Sequence, residues 1–363
     1  MFEQNERLSP SGPVASRRSR GVSASRAMDD GAAWRRAALD YNAKFRDDYV
    51  VNHPDFPDAP PLRLSQAPSA SAAVASSSSS SSSRDRRLRR RSPVPTNDDA
   101  DDADAADPIP ATGFTIWDAG ILLGMYVTRP RVWARLLGDA ARDDAIVLEL
   151  GAGTGVAGLL VACTGSPALV GMTDLPALVP FLRENARRNK AGTGTGTDRD
   201  RDRDRDRGGG GAIPANVLLA VSPLRWGCAA DFDALPEPLK RPNLVLGADL
   251  CYTSDASVVD ALVATLDMVM PRGGDGDGDG DGDGDGDGDG DGDGDAAVAV
   301  FASCVEHRPD AVTRFEEGCA TRGFEVAVVD AEELREGYGG GGDGGGGAEA
   351  FRVVEVRRKR RRA

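Results

Sequence analysis

The stretch VLELGAGTGVAG at residues 147–158 decides the fold of this chain. It overlaps an apolar run, IVLEL at Ile146–Leu150, that is typical of a buried parallel strand. Gly151 permits the tight turn that follows, Gly153 lets a ligand approach the backbone, and Gly158 lets the next helix pack against the strand. The stretch therefore predicts a strand, a ligand-binding turn and a helix in succession.

Strands and helices alternate in the sequence that follows this turn. Apolar runs predict strands at 168–173, 216–221, 243–248 and 296–301. Periodic segments predict helices at 154–163, 176–189, 254–270 and 309–322. A last pair of apolar runs, 324–329 and 351–356, predicts a hairpin that closes the sheet. The alternation indicates an α/β fold, a Rossmann-like sheet of seven strands with helices on both faces.

Residues 108–363 are predicted to form one domain that three low-complexity inserts interrupt. The inserts are a Gly-Thr and Asp-Arg repeat at 192–211, an Asp-Gly repeat at 273–295 and a Gly-rich run at 337–347. Because the entropy of closing a loop grows only logarithmically with its length, such inserts can leave a surface turn without unfolding the core. We expect all three to be disordered loops.

The first 107 residues are predicted to be a largely disordered extension. Residues 62–107 contain a serine tract, an arginine cluster and an acidic run, with too few apolar side chains to offset the entropy of ordering, and are interpreted as a linker. Residues 31–48 are compatible with a short amphipathic helix. The Ser- and Arg-rich segment 1–28 is interpreted as plain disorder, with an organelle transit peptide as the alternative.

Composition narrows the classes of function. The chain has 363 residues and a net charge of -14, but the excess acids lie in the Asp-Gly repeat and the run 98–107, so they do not indicate an acidic partner-binding surface. The five cysteines are widely spaced and form no CxxC pair, which favours a reducing compartment and no metal site. Two histidines argue against a His-rich metal centre. No apolar stretch approaches the ~20 residues that a membrane-spanning helix needs.

Two basic clusters lie at 84–91 and 357–362. Such clusters can serve nuclear import or contact nucleic-acid phosphates. Solvated basic segments are the favoured interpretation, because both clusters lie outside the predicted core. Nucleic acid is therefore disfavoured as a partner. The expected location is the cytoplasm and/or the nucleus.

The glycine turn differs from a dinucleotide-binding fingerprint. That fingerprint, G-x-G-x-x-G, needs a third glycine where this chain has Val156, and the pattern here is E-x-G-x-G-x-G with Glu149 before the turn. A carboxylate at this place repels a pyrophosphate, whereas S-adenosylmethionine carries a cationic sulfonium and an amino group and no phosphate. The turn therefore indicates S-adenosylmethionine, with Glu149 at its amino end, and disfavours a nucleotide-dependent oxidoreductase.

Acidic residues follow two further predicted strands. Asp174 stands where α/β nucleotide folds place the acid that accepts hydrogen bonds from ribose hydroxyls, with a helix N-cap as the alternative role. Asp249 and Tyr252 follow the strand at 243–248. Because ligands bind at the carboxyl ends of the strands in an open parallel sheet, we expect these two side chains beside the reacting groups. A simple turn former is the alternative for Asp249.

With these motifs in place, the sequence resembles the family 16, seven-β-strand protein-lysine methyltransferases. Within that family it is most similar to the branch that methylates Hsp70 and valosin-containing protein. The matching segments are WDAGI at 117–121, VLELGAGTG at 147–155, TDL at 173–175, LRWG at 224–227 and GADLCY at 247–252. The resemblance covers the chain from about residue 113 to its end, apart from the inserts.

The resemblance implies a class I methyltransferase fold, S-adenosylmethionine as cofactor and a role for each matching residue. The residues implied to line the cofactor site are Trp117, Gly151, Ala152, Gly153, Asp174, Trp226 and Ala248. Core packing is the alternative role for the two tryptophans. Asp249 and Tyr252 match the acid-x-x-Tyr signature that marks the substrate-amine side, and are the candidate catalytic residues.

The resemblance also implies the reaction and the partner. Methyl transfer to a lysine ε-amine of a protein is expected, with a chaperone or an AAA-type ATPase as the kind of substrate, no metal, and a monomer as the acting species. Three alternatives stay open: a methyltransferase acting on RNA, one acting on a small molecule, and a non-catalytic module that binds S-adenosylmethionine.

Overall fold

The computed structural model describes residues 48–53, 60–66, 111–138, 144–191, 211–271, 297–306, 308–335 and 350–359. Within these ranges the chain forms a seven-stranded sheet flanked by helices, together with a separate two-stranded hairpin. The predicted α/β fold class with a seven-stranded Rossmann-like sheet is confirmed. No helix in the described ranges is long and apolar enough to cross a membrane.

The elements are numbered here in chain order. The strands are β1 (Asp48–Val51), β2 (Leu62–Ser65), β3 (Ile146–Leu150), β4 (Leu169–Asp174), β5 (Leu218–Pro223), β6 (Leu244–Ala248), β7 (Val298–Cys304), β8 (Phe324–Val328) and β9 (Phe351–Arg358). The α-helices are α1 (Asp118–Val127), α2 (Pro130–Leu137), α3 (Val156–Cys163), α4 (Val179–Asn189), α5 (Ala229–Asp233), α6 (Ala256–Val269), α7 (Pro309–Thr321) and α8 (Ala331–Arg335). Short 3-10 helices lie at Ala111–Phe114 and Glu237–Lys240.

The large sheet has the strand order β5-β4-β3-β6-β7-β9-β8. The first five of these strands are mutually parallel, and β9 runs antiparallel to both of its neighbours. The predicted closing hairpin is thus confirmed as the pair β8 and β9. The direction of winding reverses between β3 and β6, so a crevice opens at the carboxyl ends of these two central strands.

Two apolar cores cover the opposite faces of the sheet. Successive residues of β3 alternate between them, since Val147 belongs to the core with α1 and α3 and Leu148 to the core with α6 and α7. Helix α1 was missed by the sequence analysis, and its composition explains why. Nine of its ten residues are buried, so it has no polar face and none of the periodicity that marks an amphipathic helix.

The hairpin of β1 and β2 corrects the prediction for the amino-terminal extension. The linker expected over 62–107 is wrong at its start, because Leu62 and Leu64 are buried within the core. The helix expected over 31–48 is wrong at its last residue, Asp48, which begins β1; residues 31–47 lie outside the described residues. The alternation in LRLS is the signal for β2, but four residues are too few to stand out.

The basic cluster expected as a solvated terminus begins inside β9. The guanidinium carbon of Arg358 lies 3.8 Å from the ring centre of Phe324, and its Nε donates a hydrogen bond to the carbonyl of Met270 at 2.5 Å. Residues 360–363, the cluster 84–91, the segment 1–28 and the three predicted inserts lie outside the described residues, apart from Gly211 at the end of the first insert.

We expect Leu64→Ala to lower the free energy of unfolding by about 2–5 kcal/mol, because it removes a fully buried side chain and leaves a cavity. Val50→Ala in β1 is the matched control: this side chain is 38% exposed, so the change should be within about 0.5 kcal/mol. Urea unfolding of both variants provides the measurement. Equal, small effects would mean that the hairpin does not belong to the core.

Candidate active site

A cavity of about 750 Å³ opens at the carboxyl edge of the parallel strands. It lies at the reversal of strand order, where an open α/β sheet places its ligands. All ten residues singled out from the sequence line it: Trp117, Glu149, Gly151, Ala152, Gly153, Asp174, Trp226, Ala248, Asp249 and Tyr252. The structure therefore brings together residues at the ends of β3, β4 and β6, in the segments that follow β3, β5 and β6, and just before α1.

The glycine turn forms one wall of the cavity. Gly151 and Gly153 have φ values of 56° and 55°, in the left-handed region that side chains disfavour. A Cβ added to Gly151 would lie 2.8 Å from Trp226 and from Leu250, and one added to Gly153 would lie 3.1 Å from the carbonyl oxygen of Gly113. Both positions thus need glycine for conformation and for space, which leaves the backbone accessible to a ligand.

Asp174 joins the end of β4 to this turn. Its Oδ2 accepts a hydrogen bond from the N–H of Gly153 at 2.6 Å, and its Oδ1 accepts one from the N–H of Leu175 at 2.7 Å. Burial raises the pKa of Asp174, while the two N–H groups lower it. The alternative role as a helix N-cap is wrong, since the N-cap of α4 is Leu178. Carboxylate oxygens have two lone pairs each, so Asp174 retains acceptor capacity for ribose hydroxyls.

Glu149 lies beneath the turn and is 2% exposed. Its Oε2 accepts a hydrogen bond from the N–H of Gly158 at 2.9 Å, and a Cβ on Gly158 would lie 2.6 Å from that oxygen. Gly158 therefore makes room for a carboxyl group as well as for helix packing. Burial raises the pKa of Glu149 to about 8; the Gly158 N–H opposes this rise and the charge of Asp174 adds to it. Contact between Glu149 and an amino group stays a prediction.

The carboxyl groups at the turn fit a cationic ligand without phosphate. Glu149 and Asp174 are both buried at the turn, and a nearby positive charge would offset the free-energy cost of burying their carboxylates. Arg225, next to Trp226, makes a bidentate ion pair with Asp231 through Nε at 2.8 Å and Nη2 at 2.9 Å. Among the described residues, no group of three or more His, Cys, Asp or Glu side chains is placed to hold a metal ion.

Asp249 stands at the end of β6 in a strained conformation. Its φ is 51°, and it is the one non-glycine residue with positive φ in the described ranges. Its N–H donates to the carbonyl of Ala302 at 2.8 Å, and its Oδ1 accepts from the N–H of Cys304 at 2.7 Å. These bonds to β7 hold the side chain at the edge of the cavity, which is more than a simple turn former requires.

Three aromatic side chains line the cavity with different exposure. Tyr252 is 45% exposed and Trp117 is 38% exposed, so core packing is wrong for Trp117. Trp226 is partly buried against the core of α6 and α7 and also lines the cavity, so core packing applies in part and its contact with the cofactor stays a prediction. Burial, and then the charge of Asp174, raises the pKa of Tyr252. The phenol therefore keeps its proton at neutral pH and can donate a hydrogen bond.

A strap of residues crosses the glycine turn; the sequence pointed to its Trp117 but not to Gly113 or Thr115. Gly113, Thr115 and Trp117 line the cavity, whereas Phe114 and Ile116 between them are buried. This alternation in GFTIW is the signal that could have found the strap. The other lining residues that were not predicted lie in α1, in or just after the glycine turn, and at or after the ends of β4, β5, β6 and β7: Gly120, Thr154, Val156, Leu175, Leu178, Leu224, Arg225, Leu250, Cys251, Val258, Ala261, Cys304, Glu306 and Arg308.

The sheet and its cavity define the class of this protein. A parallel sheet with its last strand inserted antiparallel, and a glycine turn beside an acid at the end of the next strand, form the class I methyltransferase fold. Residues 106–198 match the family model described as lysine methyltransferase. The resemblance to the family 16 lysine methyltransferases is thereby confirmed over this segment.

Curated relatives match parts of the chain. Protein N-lysine methyltransferase METTL21A of Xenopus tropicalis is 28% identical over 142 residues, 39% of this chain and 48% of that protein. METTL21A of Danio rerio is 29% identical over 154 residues, 42% and 53% of the two chains. UPF0665 family protein C23C4.06c of Schizosaccharomyces pombe is 34% identical over 76 residues, 21% and 22%. The chain thus spans about half the length of the METTL21A relatives and 22% of the Schizosaccharomyces pombe protein.

Solved structures overlap the fold more loosely. Magnesium protoporphyrin IX methyltransferase (ChlM) of Synechocystis PCC 6803, solved with bound SAM, covers 67% of this chain and 83% of its own at 13% identity and a TM-score of 0.33. The strand order and the glycine turn therefore define the class of fold, and that overlap does not.

We expect Glu149→Gln to stabilise the ligand-free protein more at pH 8 than at pH 5. The folded-state pKa of about 8 lies above the ordinary 4.5, so the contribution of Glu149 is fully present below pH 4.5 and is lost as the pH rises through 8. Glutamine keeps an acceptor for Gly158 and does not ionise. Thermal unfolding at both pH values measures the difference in Tm.

Glu184→Gln is the control for this experiment. Hydrogen bonding to Arg187 lowers the pKa of Glu184, so its contribution is present at high pH and lost as the pH falls. Its variant should therefore show no gain that grows toward pH 8. A difference in Tm for Glu149→Gln that is the same at pH 5 and pH 8 would contradict the assigned pKa.

Proposed function

We propose that this chain is an S-adenosylmethionine-dependent protein-lysine N-methyltransferase. One observation carries the proposal: a single cavity is lined both by the glycine turn with Asp174 and by the pair Asp249 and Tyr252. The first group suits the cofactor and the second suits an amine, so the cavity accommodates two reactants side by side. The METTL21A relatives and the lysine methyltransferase match support the choice of lysine as the acceptor.

The chain's own groups account for binding of the cofactor. Asp174 accepts hydrogen bonds from ribose hydroxyls, the turn at Gly151 and Gly153 lets the ligand lie against the backbone, and Glu149 offers a carboxyl group toward the cationic amino end. Trp117 and Trp226 supply aromatic surface along the cavity. When bound, S-adenosylmethionine supplies an electrophilic methyl group on its sulfonium.

The second group of residues prepares the amine. A free lysine has a pKa of ~10.4, and partial burial in the cavity lowers it, because apolar surroundings disfavour the ammonium. The carboxylate of Asp249 accepts a hydrogen bond from the amine, and this bond directs the lone pair of the amine nitrogen into the cavity. The protonated phenol of Tyr252 forms one wall of the part of the cavity that would admit the lysine side chain. Holding nucleophile and methyl group in line is itself a large part of the rate acceleration.

Partner, location and oligomeric state form the finer part of the proposal. A chaperone or an AAA-type ATPase is the kind of protein substrate that the resemblance supports. We propose a monomer located in the cytoplasm and/or nucleus; the basic cluster at 84–91, of the kind that can serve nuclear import, is consistent with the location. Each of these points is open to direct measurement.

Incubation with methyl-labelled S-adenosylmethionine and a cell lysate tests the class of reaction. We expect label in a protein band, and label on the lysine ε-amine after hydrolysis. Label in RNA or in a small molecule would select the corresponding methyltransferase instead. Binding of the cofactor without transfer to any acceptor would leave a binding module.

We expect Asp249→Asn to lower turnover by at least a hundredfold, or ~2.7 kcal/mol of barrier, with S-adenosylhomocysteine affinity within a few-fold of normal. Asparagine tolerates the left-handed φ and keeps the acceptor for the Cys304 N–H, so only the charge is removed. Steady-state kinetics and calorimetry measure the two quantities.

Asp174→Ala is the contrasting variant. It removes charge-assisted hydrogen bonds of roughly 1.5–3 kcal/mol each, so S-adenosylhomocysteine affinity should fall about tenfold or more, and turnover with it. If Asp249→Asn instead lost affinity and activity together, Asp249 would act on the cofactor or on the structure. Near-normal activity of that variant would remove it from the catalytic side.

A further inference from the structure

The hairpin of β1 and β2 is docked on α4 by two asparagines one helical turn apart. Asn185 accepts from the N–H of Ser65 at 2.8 Å and donates to its carbonyl at 3.3 Å. Asn189 accepts from the N–H of Arg63 at 2.8 Å and donates to its carbonyl at 2.9 Å. Both asparagines are buried, at 0% and 2% exposure, so the backbone of β2 supplies partners that water cannot.

Only one of these asparagines also reaches the glycine turn. The Nδ2 of Asn185 donates to the carbonyl of Thr154 at 3.0 Å, and Thr154 lines the cavity. The further hydrogen bond of Asn189, at 2.8 Å, goes to the carbonyl of Asn185 within α4. Asn185 therefore connects the hairpin to the cavity wall, whereas Asn189 serves docking alone.

A second connection leaves the end of β2. Gln66, which is 3% exposed, accepts a hydrogen bond from the N–H of Ile116 through Oε1 at 3.1 Å. Ile116 lies between Thr115 and Trp117, two residues of the strap that line the cavity. The hairpin thus holds the strap at one point and the glycine turn at another.

We propose that the hairpin of β1 and β2 positions the cofactor-binding wall of the cavity, with Asn185 and Gln66 as the positioning residues. Docking of the hairpin and binding of the cofactor are then coupled, and the coupling is reciprocal. The proposal rests on the proposed function only in its choice of cofactor. It assigns a role in the site to a segment that precedes the rest of the fold by more than forty residues of sequence.

Asn185→Leu and Asn189→Leu form a matched pair for the test. Both variants lose two hydrogen bonds to the backbone of β2, so both should lower Tm. Asn185→Leu also loses the bond that holds Thr154 in the cavity wall, so its affinity for S-adenosylhomocysteine should fall by up to about tenfold, the upper end for one hydrogen bond. In Asn189→Leu the hairpin keeps its connections to the wall through Asn185 and Gln66, so affinity should stay within about twofold. Gln66→Met, which keeps the shape of the side chain, should resemble Asn185→Leu.

Hydrogen exchange gives the reciprocal readout in the unaltered chain. S-adenosylhomocysteine should slow exchange at the amides of Arg63 and Ser65 more than at the amides of β8, because a purely structural hairpin would gain only the general stabilisation that any ligand of the folded state gives. Equal affinities in the unaltered chain, Asn185→Leu and Gln66→Met, or an equal loss in Asn189→Leu, would overturn this inference alone. If Asn185→Leu does not fold, Gln66→Met decides. No binding by the unaltered chain would overturn the cofactor assignment and this inference with it.

Discussion

The hydrogen bond from the N–H of Gly153 to Asp174, at 2.6 Å, is the contact on which the site depends. It ties the turn after β3 to the end of β4, so that two neighbouring strands present one surface to a ligand. The bond needs a backbone that turns at positive φ beneath the carbonyl of Gly113, where a Cβ would be crowded. Glycine at this position is therefore a condition for the junction of the two strands.

Three features of the site lower the stability of the ligand-free protein. Burial raises the pKa of both Glu149 and Asp174, and Asp249 adopts a backbone conformation that non-glycine residues avoid. Each of these features is unfavourable in the ligand-free chain, and a cationic ligand at the turn would offset the first two. Such local conflicts with stability are common at functional sites, and here all three residues line one cavity.

The parts of the fold that sequence could predict are those with a local signal. The strands at Ile146–Leu150 and Leu244–Ala248 are short apolar runs, and the glycine turn departs from the dinucleotide fingerprint at Val156, so the sheet, the turn and the kind of cofactor could be predicted. Helix α1 escaped because it is buried on every side, and β2 because its four residues alternate too briefly. The polar residue Gln66 has no local signal, since its partner lies in another segment.

By itself, the sequence determined the α/β class, the glycine turn and six of the ten cavity residues, because these depend on residue types and on spacing along one chain. The resemblance of short motifs to a known family implied the other four: Trp117, Ala152, Trp226 and Ala248. Only the tertiary structure decided how those residues are held. The bond of Asp249 to Cys304 and the docking of the hairpin on Asn185 join segments far apart in sequence. Such contacts form only when the cores on both faces of the sheet have closed, because packing there sets which segments meet.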